Sequence, residues 1–216
     1  IMLSAQLQGL LWIVVIVIGF LSVNKSTYSN LFNTPARQSG VFACALVLAL
    51  LWRIKAGILP GLDLHILGIT AVTLTLGWRL AILSCVLATA LLTAFGQITP
   101  ELVALKLIIS AFIPVLFTYL VFIVCYHYLA RHFFIYIFVC SFLTAGVVAC
   151  VNIILGGAFY YAIGEYSWHQ LSENYIYLSP ILAFPEAMLN GMAITVLITY
   201  RPHWVKTFFD KDYLGS

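Results

Sequence analysis

Charged side chains are scarce in this sequence: Asp, Glu, Lys and Arg together make up 8% of its 216 residues. Soluble globular domains carry about 25%, so this chain has too few charged groups to cover a water-facing surface. Hydrophobic residues reach 63% and the mean hydropathy is +1.08. These values indicate a polytopic membrane protein that lies in the lipid bilayer as one transmembrane domain, residues 1–216, without a separate soluble domain.

Motifs of catalysis and of nucleotide hydrolysis are missing as well. The sequence has no Walker motif, no HExxH, no CxxC pair and no recognisable nucleophile triad. Its five cysteines lie within apolar runs, where we expect reduced packing residues. The net charge of +3 gives no indication of nucleic-acid binding. We therefore expect a protein that is not an enzyme and that needs separate ATPase subunits for any active transport.

The apolar runs predict an all-α fold with about seven transmembrane helices, since a span needs about 20 mostly apolar residues. The first run lacks a preceding basic region and a convincing cleavage site, so we interpret it as a retained helix rather than a signal peptide. Polar residues 24–39 are predicted to form a loop, and Pro114 is expected to kink the fifth helix. The predicted segments are Leu7–Val23, Gly40–Leu59, Leu64–Gly77, Leu80–Phe95, Glu101–Tyr128, Phe133–Ile163 and Tyr175–Tyr200.

The distribution of Lys and Arg predicts the orientation of the chain. With seven spans and the N-terminus outside, the cytoplasmic side carries Lys25, Arg37, Arg79, Arg131, Arg201, Lys206 and Lys211. Only Arg53, Lys55 and Lys106 then lie on the outer side. This asymmetry predicts an outside N-terminus and a cytoplasmic C-terminus.

The third segment is short and begins next to two polar residues, Asp63 and His65. Residues 64–77 would extend about 21 Å as a helix, less than a hydrocarbon core of about 30 Å; alternatively, residues 57–63 extend the helix. Asp63 is placed as an N-cap or as a ligand. A helix N-terminus disfavours positive charge, so we expect a neutral His65, which either packs or binds a metal ion.

Three other polar residues lie within predicted helices. Glu186 and Asn190 are four residues apart and share a helix face, so they form an oxygen-rich patch that either binds a ligand or ties the helix to a neighbour through Lys106 or Arg79. Lys106 either extends to the interface or pairs with Glu186 or Asp63. Asn152 is expected to form an interhelical hydrogen bond.

Two stretches resemble a known family. The stretch from Leu59 to Gly68, with His65 three residues before Gly68 and a following Leu-Gly-Trp at 76–78, resembles the H-x-x-G … L-G-W region of CbiM/NikM-type proteins. The stretch from Phe184 to Thr195 resembles their C-terminal helix. These proteins are the substrate-binding membrane subunits of cobalt and nickel energy-coupling-factor transporters.

The resemblance implies a seven-helix permease in the bacterial inner membrane that works with a transmembrane coupling subunit and ATPase subunits. It implies a site for a divalent transition metal (Co, Ni, Cu or Zn) that includes His65. We expect Asp63 as a second metal ligand, and Glu186, Asn190 and Lys106 as further ligand-binding residues. The alternative function is a non-transporting scaffold or assembly subunit, in which Asp63, Lys106 and Glu186 pair with one another.

Overall fold

The computed structural model describes residues 3–57, 59–209 and 213. Within them the fold is all-α, apart from one isolated antiparallel bridge between Ala56 and Leu64. The helices are α1 Ala5–Ser22, α2 Lys25–Asn33, α3 Pro35–Arg53, α4 Ile69–Leu76, α5 Trp78–Ala94, α6 Pro100–Tyr128, α7 Phe133–Ala162, α8 Trp168–Asn174 and α9 Ser179–Tyr200. Short 3₁₀ turns precede and follow α9.

Five helical stretches of the described chain are long and apolar enough to cross a membrane. They are Ala5–Ser22, Pro35–Arg53, Pro100–Tyr128, Phe133–Ala162 and Trp168–Tyr200. Helix α5 is also apolar but has 17 residues, and α4 has only eight. The polytopic all-α prediction is therefore confirmed, whereas the count of seven spans and the orientation of the termini stay predictions.

The predicted loop before the second span and the predicted end of that span are both wrong. Residues Lys25–Asn33 form a helix where a loop was predicted, because the Asn24 side chain accepts hydrogen bonds from the amides of Ser26 and Thr27 and so caps a new helix. The second span ends at Arg53, short of Leu59, and the chain turns to extended backbone. These extended residues begin the connection that leads to α4.

The connection between α3 and α4 covers residues 54–68. Its two limbs are held together by reciprocal backbone hydrogen bonds between Ala56 and Leu64, at 2.9 and 2.6 Å. Gly61 lies in the turn between them with a φ of +82°, a conformation that glycine adopts without steric cost. The connection thus folds back as a hairpin at one end of the bundle, and it carries Lys55, Asp63 and His65.

The predicted distortion at Pro114 takes the form of a π-helical stretch. Residues Ile108–Phe112 of α6 are π-helical and directly precede the α-helical stretch that contains Pro114 in its first turn. A proline ring clashes with the carbonyl group four residues earlier, and the wider π turn accommodates that clash. The π-helical stretch includes Ser110, whose side chain is buried.

Helix α4 lies in the centre of the bundle, in contact with α3, α5, α6, α7 and α9. Every residue from Ile69 to Leu74 is buried. Helix α9 packs along α7, where an added Cβ on Gly146 would lie 3.4 Å from the carbonyl oxygen of Ala183. Gly146 is therefore a point of close packing between α7 and α9. The long helices surround and shield an eight-residue helix that is too short to cross a membrane by itself.

Candidate functional site

Helix α4 begins at Ile69, five residues later than predicted. Gly68 stands at its N-cap position in the left-handed conformation, with a φ of +67°. The prediction that Asp63 is the N-cap is therefore wrong, because residues 64–68 are not helical and separate Asp63 from the helix. His65 likewise lies outside the first turn, so the helix dipole is not the reason for its charge state.

The carboxylate of Glu186 binds the backbone at the start of α4. Its Oε2 atom accepts from the Leu67 amide at 2.6 Å, and its Oε1 atom accepts from the Gly68 amide at 2.8 Å. Glu186 is fully buried. The first amide groups of a helix have no partner within the helix, and a carboxylate is favoured at this positive end. Glu186, which belongs to α9, therefore acts as a remote cap for the segment that leads into α4.

Asn190 completes this arrangement one turn further along α9. Its Oδ1 atom accepts from the Ala71 amide at 2.8 Å. Its Nδ2 atom donates to Glu186 Oε1 at 2.7 Å and to the Glu186 carbonyl at 2.8 Å. The predicted shared face of Glu186 and Asn190 is confirmed. Their partners are backbone amides and each other, and neither residue pairs with Lys106 or Arg79 in the described chain.

The C-terminal end of α4 is capped by the segment that follows α9. The Lys206 amide donates to the Thr75 carbonyl at 2.9 Å, and the Thr207 hydroxyl donates to the Leu74 carbonyl at 2.8 Å. The hydroxyl of Tyr136 lies 2.6 Å from the same Thr207 oxygen. Both ends of α4 are thus satisfied by groups from distant parts of the chain, as a buried helix requires.

His65 is buried beside Trp52, with 8% of its surface exposed. The two rings meet edge to face at a centroid distance of 6.0 Å. Trp52 is itself fixed by a hydrogen bond of 2.9 Å from its Nε1 atom to the Leu67 carbonyl. Burial lowers the pKa of His65 to about 4, and the Lys106 ammonium acts in the same direction. His65 is therefore neutral at pH 7, as predicted, but burial is the cause.

Asp63 lies between two ammonium groups. Its Oδ2 atom is 3.0 Å from Lys55 Nζ and 3.3 Å from Lys106 Nζ. Burial alone would raise the pKa of Asp63, but the two ammonium groups outweigh it and lower the pKa below its ordinary value. Of the three alternatives predicted for Lys106, the structure shows the pairing with Asp63. The three-way pairing expected for a scaffold is incomplete, because Glu186 is bound elsewhere.

A cavity of about 30 Å³ joins the predicted metal ligands to both lysines. A volume of about 10–15 Å³ suffices for one water molecule, so the space suits a single ion or water rather than a chelate. Its lining includes Trp52, Lys55, Asp63, His65, Lys106 and Ser110. We call this space the His65 cavity. Glu186 and Asn190 do not line it, and their predicted role in ligand binding stays a prediction.

A second cavity of about 20 Å³ is also lined by Asp63 and Lys106. Asp63, Lys106 and Ser110 line both spaces. Its other polar lining residues are Asn152 and Tyr160 of α7 and Tyr175, which directly follows α8. We call this space the Asn152 cavity. The side-chain oxygens of Asn152 and Tyr160 are buried and have no hydrogen-bond partner in the described chain. The interhelical hydrogen bond predicted for Asn152 is therefore not made through its Oδ1 atom.

Two residues of the site, Trp52 and Ser110, were not predicted from the sequence. Ser110 follows Lys106 by four residues on α6, and this spacing could have indicated a shared face. No sequence pattern indicated Trp52, because a single tryptophan in an apolar helix is predicted to be a packing residue. Among the described residues, no group of three or more His, Cys, Asp or Glu side chains is placed to hold a metal ion.

Comparison with known proteins finds one matching protein family. A family model described as "cobalt uptake substrate-specific transmembrane region" (CbiM) matches residues 1–204 of the chain. The match covers nearly the whole chain, including α1 to α9 and both cavities. No curated protein and no solved structure matches the chain.

Proposed function

Because the chain belongs to the CbiM family of cobalt-uptake transmembrane proteins, we propose that it is the substrate-binding membrane subunit of an ABC-type uptake system. The proposed substrate is a divalent transition-metal ion, with cobalt or nickel as the first candidates and copper or zinc as alternatives. The proposed location is the bacterial inner membrane. A transmembrane coupling subunit and ATPase subunits would supply the energy, since this chain has no nucleotide-binding motif.

One observation carries the proposed binding site: a neutral, buried imidazole and a carboxylate line the same ion-sized cavity. Neutral imidazole is a common ligand of transition metals, and carboxylate oxygen is an accepted partner for them. His65 supplies the imidazole and Asp63 the carboxylate. Trp52 restricts the position of the His65 ring from one side.

The two lysines determine how an ion would enter. Both ammonium groups contact Asp63, and like charges repel strongly in a medium of low dielectric. A divalent ion can bind Asp63 only if at least one ammonium group moves away. The Lys55 side chain is 36% exposed on the hairpin connection and can turn outward, whereas the Lys106 side chain on α6 is 18% exposed. Ion binding and lysine displacement are thus coupled in this proposal.

Replacing His65 by alanine tests the proposed site. The purified protein in detergent would be titrated with Co²⁺, Ni²⁺, Cu²⁺ and Zn²⁺ while its thermal unfolding is followed. A ligand at 100 times its Kd stabilises the native state by about 2.7 kcal/mol, so an ion that binds should raise the Tm. We expect His65→Ala to abolish that rise.

The matched control is His169→Ala, because His169 is an exposed histidine of α8 with its side chain 80% accessible. The control should keep the metal-dependent rise in Tm. If His65→Ala binds each ion as tightly as the unchanged protein, the metal site is elsewhere and the proposal fails. Elemental measurement of metal content after purification gives an independent readout of the same comparison.

A further inference from the structure

Lys106 lies between two cavities, and the second of them contains polar groups without partners. In the Asn152 cavity, Asn152 is 5% exposed and Tyr160 is 2% exposed. Neither Asn152 Oδ1 nor the Tyr160 hydroxyl has a hydrogen-bond partner within the described residues. A buried polar group without a partner destabilises the fold, so both oxygens favour a guest that satisfies them.

The chemistry of these oxygens defines the guest. An amide oxygen only accepts hydrogen bonds, and a hydroxyl both accepts and donates. A guest that satisfies both must donate hydrogen bonds, and an ammonium group has three donors. Lys106 lines this cavity with its flexible side chain, and its ammonium group now points to Asp63 at 3.3 Å. The required donor is therefore already present at the cavity wall.

We propose that the Asn152 cavity is a receiving site for the ammonium group of Lys106. In the metal-free protein this group holds the Asp63 carboxylate in place of the substrate. When a divalent cation binds at Asp63 and His65, the Lys106 side chain moves from the His65 cavity into the Asn152 cavity. Its ammonium group then donates to Asn152 Oδ1 and to the Tyr160 hydroxyl. The inference rests on the proposed function, and it assigns Asn152 and Tyr160 a role in tuning affinity for the cation without contacting it.

The geometry of the bundle supports this exchange. Asp63, Lys106 and Ser110 line both cavities, so the two spaces share a wall across which a lysine side chain can move. Gly156 also lines the second cavity, and an added Cβ there would lie 3.1 Å from the Tyr175 hydroxyl. A larger residue at Gly156 would crowd this space. Without a receiving site, the displaced ammonium group would remain beside the cation and repel it.

A double-mutant cycle tests the exchange. Co²⁺ affinity would be measured by calorimetric titration of the full chain in detergent at one fixed pH for four proteins: unchanged, Tyr160→Phe, Lys106→Met, and both together. Lys106→Met removes the internal competitor, so Co²⁺ should bind at least tenfold more tightly. Tyr160→Phe removes one hydroxyl of the receiving site and should weaken Co²⁺ binding by about tenfold, equivalent to about 1.4 kcal/mol.

The decisive comparison is Tyr160→Phe in the two backgrounds. If the hydroxyl serves only Lys106, its removal has no effect once Lys106 is methionine. Tyr161→Phe, on the exposed side of the same helix, is the matched control and should change nothing. Asn152→Leu repeats the cycle with the second acceptor, in case one variant is poorly folded.

Each outcome separates this inference from the proposed function. Loss of the Tyr160→Phe effect in the Lys106→Met background supports the receiving site. An equal effect in both backgrounds, or none in the unchanged background, overturns it while metal binding stands. If the unchanged protein binds no Co²⁺, Ni²⁺, Cu²⁺ or Zn²⁺, the proposed function fails and this inference fails with it.

Discussion

Replacing Glu186 by glutamine is expected to lower the free energy of unfolding by about 1–3 kcal/mol, the usual cost of one buried donor without a partner. The carboxylate accepts three hydrogen bonds: Oε1 from the Gly68 amide and from Asn190 Nδ2, and Oε2 from the Leu67 amide. A glutamine oxygen at the Oε1 position keeps two of these bonds. Its amide nitrogen then faces the Leu67 amide, and two donors meet.

Replacing Glu186 by alanine should cost more, because it removes all three acceptor contacts. The Leu67 and Gly68 amides lose their acceptor, whereas Asn190 Nδ2 keeps its bond to the backbone carbonyl of residue 186. The expected loss is therefore about 2–6 kcal/mol, at about 1–3 kcal/mol for each of the two backbone amides. The order of the two variants is the informative result. A purely packing role for Glu186 would make glutamine harmless, since its volume is nearly the same.

The assay is thermal unfolding of the purified protein in detergent, with and without Co²⁺. One kcal/mol corresponds to about 2–4 °C for chains of 150–250 residues, so Glu186→Gln should lower the Tm by several degrees in both conditions. Glu173→Gln is the control, because Glu173 is an exposed carboxylate of α8. If Glu186→Gln left the metal-free Tm unchanged and removed only the stabilisation by Co²⁺, Glu186 would be a ligand group and the capping role would be refuted.

Two further substitutions test how α4 is held. Gly68→Ala should destabilise the protein by more than about 1 kcal/mol, because its φ of +67° disfavours a side chain and the added Cβ would lie 2.9 Å from Leu51 Cδ1. Gly96→Ala is the control, because Gly96 has a φ of +69° but no neighbouring atom within 4 Å of an added Cβ, so it measures the backbone cost alone. Equal losses of Tm in the two variants would contradict a steric clash with Leu51. Thr207→Val should cost about 1–3 kcal/mol, because it removes the shorter of the two bonds to the Leu74 carbonyl and leaves the Tyr136 hydroxyl without its partner. An unchanged denaturation midpoint would show that the Thr207 hydroxyl does not hold the helix.

Glu186 shows that a buried carboxylate in a membrane protein can have a purely structural partner. A lone carboxylate in an apolar helix is a functional-site hypothesis by default, and Glu186 was predicted to bind a ligand on that ground. The structure gives it backbone partners on another segment, more than a hundred residues earlier in the chain. In a bilayer, the unpaired amides of a short internal helix are themselves costly. A buried carboxylate is one means of satisfying them.

The pairing of Asp63 with Lys106 could be predicted in part, because both are ionisable residues in an apolar chain and such residues pair with one another. Which of the alternatives Lys106 adopts could not be decided, since the choice depends on how α6 approaches the hairpin connection. The addition of Lys55 to this pair depends on the early end of α3 at Arg53. The apolar run had predicted that Lys55 lies in the second helix, with its side chain extending to the membrane–water interface.

Sequence alone determined the membrane class, the all-α fold and the approximate positions of the long helices, because long apolar runs reflect transfer into lipid, which is a local property of each segment. It also determined that Glu186 and Asn190 share a face, since helical spacing is local too. Only the tertiary structure decided that α4 begins at Ile69 and is capped from α9 and the C-terminal segment. The partners of a buried polar group are set by which distant backbone comes within hydrogen-bonding distance, and no local pattern in the chain records that.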